Sequence, residues 1–280
     1  MKPIFLIIFL LFLSFNSYSQ SYKTKYINEG YTLVWSDEFN QKSLNTQNWS
    51  YILGWRKNEQ LDWCENDNVY LENGCLVIEA RKEENGKLNP EYSSKSKNWQ
   101  QQRRYIQYTS GAIETKNKRS WKYGRFEMRA KFDSELGLWP AFWTLGVEKN
   151  WPYNGEIDIM EYYRGNLLAN IGYSLKGKHP IKWSSKRRKY NATKNNSLSH
   201  SFHVWRMDWD QDQIVIYLDN IQLNKLDISK LTDINGFNPF RQPHYIILNL
   251  ALGGINGGNI SKTVLPKEFV IDYVRVYQKK

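Results

Sequence analysis

Cysteine and histidine are scarce in this chain, helical periodicity is missing, and no apolar run is long enough to cross a bilayer. Each absence removes a class of protein. Two cysteines, Cys64 and Cys75, allow at most one disulfide. They flank a candidate hairpin arm, so pairing is geometrically open, and a pair of buried free thiols is the equal alternative. The only histidines close in sequence are His200 and His203. Their spacing would serve a metal on a helix, but on a strand it turns the rings to opposite faces, which excludes them as a metal pair. Without a helix-period segment or an internal repeat, helical and solenoid architectures drop out. The longest apolar run, residues 4–13, has ten residues, where a membrane span takes about 20. It follows Lys2 and leads to the small residues Ser17 and Ser19, so residues 1–19 read as a secretory signal peptide. No cysteine follows the run to carry a lipid anchor. The expectation is a secreted or periplasmic protein without a membrane anchor.

Acid is the minority charge, with 28 Asp and Glu against 39 Lys and Arg and a net charge of +11. Nucleic acid must therefore be weighed as a partner. Export argues against it and favours an extracellular polymer. What is abundant is aromatic: 12 Trp and 19 Tyr lie in a chain that is 15% aromatic. Their flat apolar faces and polar handles suit stacking on sugar rings.

Short alternating segments recur at residues 31–35, 110–115, 123–132, 167–175, 202–210, 213–218, 221–226 and 269–278. Residues 68–71 and 76–80 are joined by Asn73-Gly74, a strong hairpin signal. Residues 243–254 are almost continuously apolar, as in a strand buried on both faces. Residues 81–102 are charged and without period, and read as a surface loop. The pattern predicts an all-β chain of two packed antiparallel sheets, with residues 20–280 as one domain and a monomer. Residues 176–194 carry eight Lys or Arg and no acid. A solvated basic loop is the plain reading. The sharper one is a cleft-side loop for an anionic polysaccharide, with Arg187 and Arg188 as receptors and Trp183 as a stacking platform.

The most informative stretch is Gly155-Glu156-Ile157-Asp158-Ile159-Met160-Glu161-Tyr162-Tyr163, which sets three carboxylates within six residues of an otherwise apolar strand. Alternation places Glu156 and Asp158 on one face and Ile157 and Ile159 on the other. Strict alternation would then put Met160 beside the acids. One extra residue bulged near Ile159 and Met160 brings Glu161 onto the acidic face instead. The two glutamate Cα positions then lie roughly 13 Å apart, and inward-leaning side chains bring the carboxylates to about 5 Å. That gap is the one expected of a retaining glycosidase, with one carboxylate as nucleophile and the other as proton donor. Crowding also separates the three pKa values. An acidic edge strand or a divalent-metal site is the alternative.

Glu-Ile-Asp-Ile-Met-Glu resembles the bulged signature of glycoside hydrolase family 16, a group spanning laminarinases and related endo-glucanases, agarases and carrageenases. Trp35-Ser36-Asp37-Glu38-Phe39, the run from Tyr123 to Lys131 and the run from Gly137 to Gly146 are similar to other stretches of that family, and the likeness covers roughly residues 31–278. The resemblance implies a β-jelly-roll sandwich of two curved sheets with a concave substrate cleft. It implies Glu156 as nucleophile, Asp158 as its helper and Glu161 as general acid/base. Trp139 would line the cleft, with Trp143 equally placed there or in the core. Asn58 and Glu59 would hydrogen-bond sugar on the donor side, Trp183 and Asn249 are further substrate contacts, and His203 would border the cleft. No cofactor is implied for the chemistry. A structural calcium is implied on the convex side, held by Glu38, the Gly74 carbonyl and Asp272. Relatives often follow the run at 243–254 with Trp-Pro-Gly, where this chain reads Ile255-Asn256-Gly257-Gly258. The expected function is endo-cleavage of β-1,3- or mixed-linkage β-glucan with retention. The alternatives are the same mechanism on a sulfated or agar-type galactan, and a non-catalytic sugar-binding jelly roll.

Overall fold

The computed structural model describes residues 25–175, 181–190 and 197–280. The expected signal peptide and both ends of the basic stretch lie outside them. Two sheets pack face to face, antiparallel throughout except that β4 and β7 of the outer one pair in parallel. The outer sheet contains β1 (Tyr31–Asp37), β3 (Gly54–Trp55), β4 (Asp62–Cys64), β5 (Val69–Glu72), β6 (Cys75–Leu88), β7 (Tyr105–Ser110), β9 (Gly124–Phe132), β14 (His203–Trp209), β15 (Gln213–Leu218), β16 (Ile221–Asp227) and β18 (Lys267–Lys279). The cleft sheet contains β2 (Ser50–Tyr51), β8 (Ala112–Glu114), β10 (Leu138–Gly146), β11 (Glu156–Tyr163), β12 (Asn166–Tyr173), β13 (Lys182–Lys189) and β17 (His244–Leu252). Its strand order is β13-β12-β11-β10-β17-β8-β2.

Alternation decides which side chains enter the core. On β9, Phe126, Met128, Ala130 and Phe132 point inward and meet Trp205, Met207 and Trp209 of β14. From the cleft sheet come Leu138 and Phe142 of β10, Ile157 and Ile159 of β11, and Ile246, Leu248, Leu250 and Leu252 of β17. Each such large side chain taken fully from water contributes about 1.5–3 kcal/mol. Those same strands turn their remaining residues to the cleft, so β17 is buried along nearly its whole length. The continuous apolar run at 243–254 has this cause.

Asn73 and Gly74 turn the β5–β6 hairpin at φ 51° and 73°, the left-handed values that a tight two-residue turn demands. Two sequence expectations need correction. Residues 81–102 are not all loop: β6 continues to Leu88 and pairs Lys87 with Ile106 of β7, where edge pairing supplies order that the charged sequence conceals. The basic stretch is not all loop either, because its middle is β13, paired with β12 from Lys182 to Lys189. Of the two alternatives open for the cysteines, the free thiols hold: Cys64 is buried and lies 3.6 Å from Asp62 Oδ2, and Cys75 is half-buried.

Candidate active site

The acidic strand β11 carries the expected bulge. Its pairing with β12 runs from Asp158 opposite Asn170 directly to Glu161 opposite Leu168, so Ile159 and Met160 share the space of one partner residue. Against β10 the same shift appears between Trp143 opposite Asp158 and Phe142 opposite Met160. Ile159 and Met160 are both fully buried in the core. Their shared inward direction returns Glu161 to the face of Glu156 and Asp158, and all three line one cleft of about 860 Å³. The hydrophobic demand of two adjacent apolar residues thus aims the third acid.

Each carboxylate is held. Trp151 donates its indole N–H to Glu156 Oε2. Trp139 Nε1 donates to Glu161 Oε1 at 2.8 Å, and Asn170 Nδ2 donates to Glu161 Oε2 at 2.7 Å. Burial raises all three acids above the ordinary carboxylate range, most strongly Asp158, which also feels the charges of Glu161 and Glu156. Glu156 is pushed up to about 7 by burial and by Glu161, against the N–H of Trp151 that favours its ionised form. Three buried carboxylates side by side cannot all ionise, and burial opposes ionisation most at Asp158, 3% exposed.

The surrounding wall is aromatic and polar. Trp139, Trp143, Trp151, Tyr163, Trp183 and Tyr245 line the cleft with Asn58, Asn170 and Asn249. Trp143 belongs to the cleft and not the core, and its indole donates to Asn249 Oδ1 at 2.8 Å. Trp151, Tyr163 and Asn170 were not singled out from the sequence. Asn170 faces the cleft because it shares a face of β12 with Leu168 and Gly172 while Ala169 and Ile171 turn to the core, and it could have been found only once Asp158 was paired to it.

Some expected residues stand elsewhere. Glu59 points into a smaller cavity lined also by Leu61, Trp99, Gly254 and Gly258, because Asn58 and Glu59 both adopt positive φ and turn the chain there. His203 lies on β14 of the outer sheet and bonds to Asp219 Oδ2 at 2.5 Å, so it does not border the cleft. The calcium set does not fit. Glu38 accepts two bonds from Arg275, at 2.9 and 2.7 Å, and Asp272 is paired with Arg129 at 2.5 Å. Gly74 is in the β5–β6 turn, and a guanidinium already satisfies each carboxylate that calcium would need. Among the described residues no three His, Cys, Asp or Glu side chains are placed to hold a metal.

A jelly-roll sandwich with paired glutamates on the floor of an aromatic cleft defines a carbohydrate-cleaving enzyme, a glycosidase. The comparisons narrow the class. The profile of the glycosyl hydrolases family 16 matches residues 57–275, and the chain belongs to that family. It is 35% identical over 263 residues to glucan endo-1,3-beta-glucosidase A1 of Niallia circulans, covering 90% of this chain and 38% of that protein. The chain thus spans less than half of that relative. The laminarinase catalytic domain of Thermotoga maritima overlays with a TM-score of 0.74 at 31% identity, covering 89% of this chain and 99% of that one. A structure from work on endo-acting O-glycanases, expressed by prominent members of the human gut microbiota to initiate mucin breakdown, overlays at 0.82 with 34% identity, covering 90% and 92%.

Proposed function

We propose that the protein is an exported, endo-acting β-glucanase that cuts β-1,3- or mixed-linkage β-1,3-1,4-glucan with retention of configuration. The observation that carries this reading is the bulge at Ile159 and Met160, which brings Glu161 to the face of Glu156 in an open cleft. The named glucanase relatives support the substrate class.

In this mechanism the ionised Glu156 attacks the anomeric carbon while Glu161 gives its proton to the glycosidic oxygen, and the leaving sugar departs. A glycosyl ester on Glu156 results. Glu161, now a carboxylate held by the N–H groups of Trp139 and Asn170, takes a proton from water as that water attacks the same carbon. Glu156 is thereby released. Asp158 retains its proton and hydrogen-bonds to its neighbours, which keeps excess charge out of the row and favours ionised Glu156. Two inversions give net retention.

A second reading keeps the mechanism and changes the backbone to an agar-type or sulfated galactan or an O-glycan. It is favoured by Ile255-Asn256-Gly257-Gly258 in place of Trp-Pro-Gly and by the overlay with the O-glycanase structure. Product analysis on laminarin, mixed-linkage glucan, agarose, carrageenan and mucin O-glycans separates the two. New reducing ends from the first pair support the glucanase reading; cleavage confined to the others replaces it. Glu156→Gln should lower kcat on the cleaved substrate by on the order of 10⁴-fold or more, with folding and oligosaccharide binding intact. A variant with normal turnover refutes the assignment, and wild-type affinity without new reducing ends would mark a binding module.

A further inference from the structure

The edge strand β13 runs alongside the catalytic row in register. Glu156 lies opposite Gly172 of β12, which lies opposite Trp183. Asp158 is followed in the same way by Asn170 and Ser185, and Glu161 by Leu168 and Arg187. Two strand spacings place this second row about 10 Å from the first. Trp183, Ser185 and Arg187 all line the cleft, as the period of two requires, while Lys186 and Arg188 turn away.

The three residues make an ordered wall. Trp183 lies against Gly172, where an added Cβ would meet the ring at 2.6 Å, so the bare backbone of that glycine lets the indole lie close on the sheet. Its exposure of 43% leaves an apolar surface open to the cleft. Ser185 offers a hydroxyl, and Arg187 a guanidinium hydrogen-bonded to Tyr163. Among the described residues no carboxylate forms an ion pair with Arg187. Most of its fork of donors stays available to an oxyanion. The row stands across β11 from the Asn58 loop, which the family resemblance gives to the donor side, so it takes the opposite, leaving side.

We infer that β13 forms a subsite for the leaving-side sugars, in which a ring stacks on Trp183 and Arg187 receives an oxyanion substituent, a sulfate ester or a carboxylate. This deepens the proposed polysaccharide-cleaving function and rests on it for the direction of the cleft. The subsite makes the enzyme tolerant of, and selective for, substituted stretches of its polymer.

The test is affinity electrophoresis of the full chain at fixed salt through gels holding neutral laminarin, laminarin sulfate or C6-oxidised laminarin, and a parallel pair of keratan sulfate and desulfated keratan. The proteins are wild type, Arg187→Gln, Arg187→Lys and Arg188→Gln. The expected result is that Arg187→Gln lowers the ratio of substituted to neutral affinity by about tenfold, the scale of one charge-assisted hydrogen-bonded pair. Arg187→Lys restores part of the ratio, and Arg188→Gln, which removes the same charge from the opposite face, leaves it unchanged. Retardation by the sulfated or by the oxidised polymer identifies the oxyanion. Equal ratios in wild type and Arg187→Gln, equal losses in Arg187→Gln and Arg188→Gln, or no retention by any gel overturns the proposal. Hydrolysis of neutral laminarin by the wild type, measured separately, decides the glucanase reading without touching this one.

Discussion

Glu161 must be a proton donor in one half-reaction and an acceptor in the other, and its two N–H partners adjust that balance. Both favour the carboxylate, opposing the burial that raises its pKa. Trp139→Phe keeps the ring and removes the donor, so the Glu161 pKa rises further. Activity that needs protonated Glu161 declines as pH climbs through that pKa. The alkaline limb of the pH profile of kcat/KM should therefore move to higher pH in Trp139→Phe; a limb that stays, or moves down, contradicts the role given to Glu161. Residues with a spacing signal were legible in the sequence: Glu156, Asp158 and Glu161 by alternation plus one bulge, and Trp139 by its place in a family-like run. Trp151, Tyr163 and Asn170 were not, because what brings them to the acids is pairing and turn geometry. Glu59 and His203 failed for the same reason, one turned by positive φ and the other carried off on the outer sheet.

At the scale of elements, the bulged strand β11 is the part on which function depends. Ile159 and Met160 anchor it in the core, and their burial holds the bulge in place. Inserting an alanine after Met160 advances Glu161 by one position and turns it inward, where a carboxylate has no water or partner. The expected outcome is loss of hydrolysis with large destabilisation. Ile159→Val keeps the bulge and should cost about 0.5–1.5 kcal/mol while turnover persists. Thermal unfolding and reducing-end assays check both, and an insertion variant with normal activity would remove the bulge from the account. Strands with an apolar period, such as β9 and β17, were visible in sequence. β13 was not, since its eight residues are almost all polar and exposed and owe their extension to the edge of β12. The long charged end of β6 was hidden likewise, ordered by β7 and not by burial.

The whole molecule carries the consequence of burying three acids, and this can be read in its stability. Their folded pKa values are raised, Glu156 to about 7 from an ordinary 4.5. Between those two values the folded state holds more protons than the unfolded chain, so stability falls as pH rises. The contribution is fully present below about pH 4.5 and is lost through pH 7. Asp158→Asn removes one ionisable group from the row while retaining a donor. It should raise stability at pH 8, leave it nearly unchanged at pH 4, and lower turnover. Equal midpoint shifts at the two pH values would show that the acids are not crowded as described. The sandwich architecture as a whole was legible because exposed and buried residues alternate through the chain; the calcium expected on its convex side was not borne by the fold, where arginines hold Glu38 and Asp272. The most direct test of the central claim, that Glu156 and Glu161 act as a nucleophile and acid/base pair, is the anomer first released from a cleaved β-linked polysaccharide, followed by proton NMR before mutarotation. The account predicts that the β-anomer appears first; an initial α-anomer would contradict it.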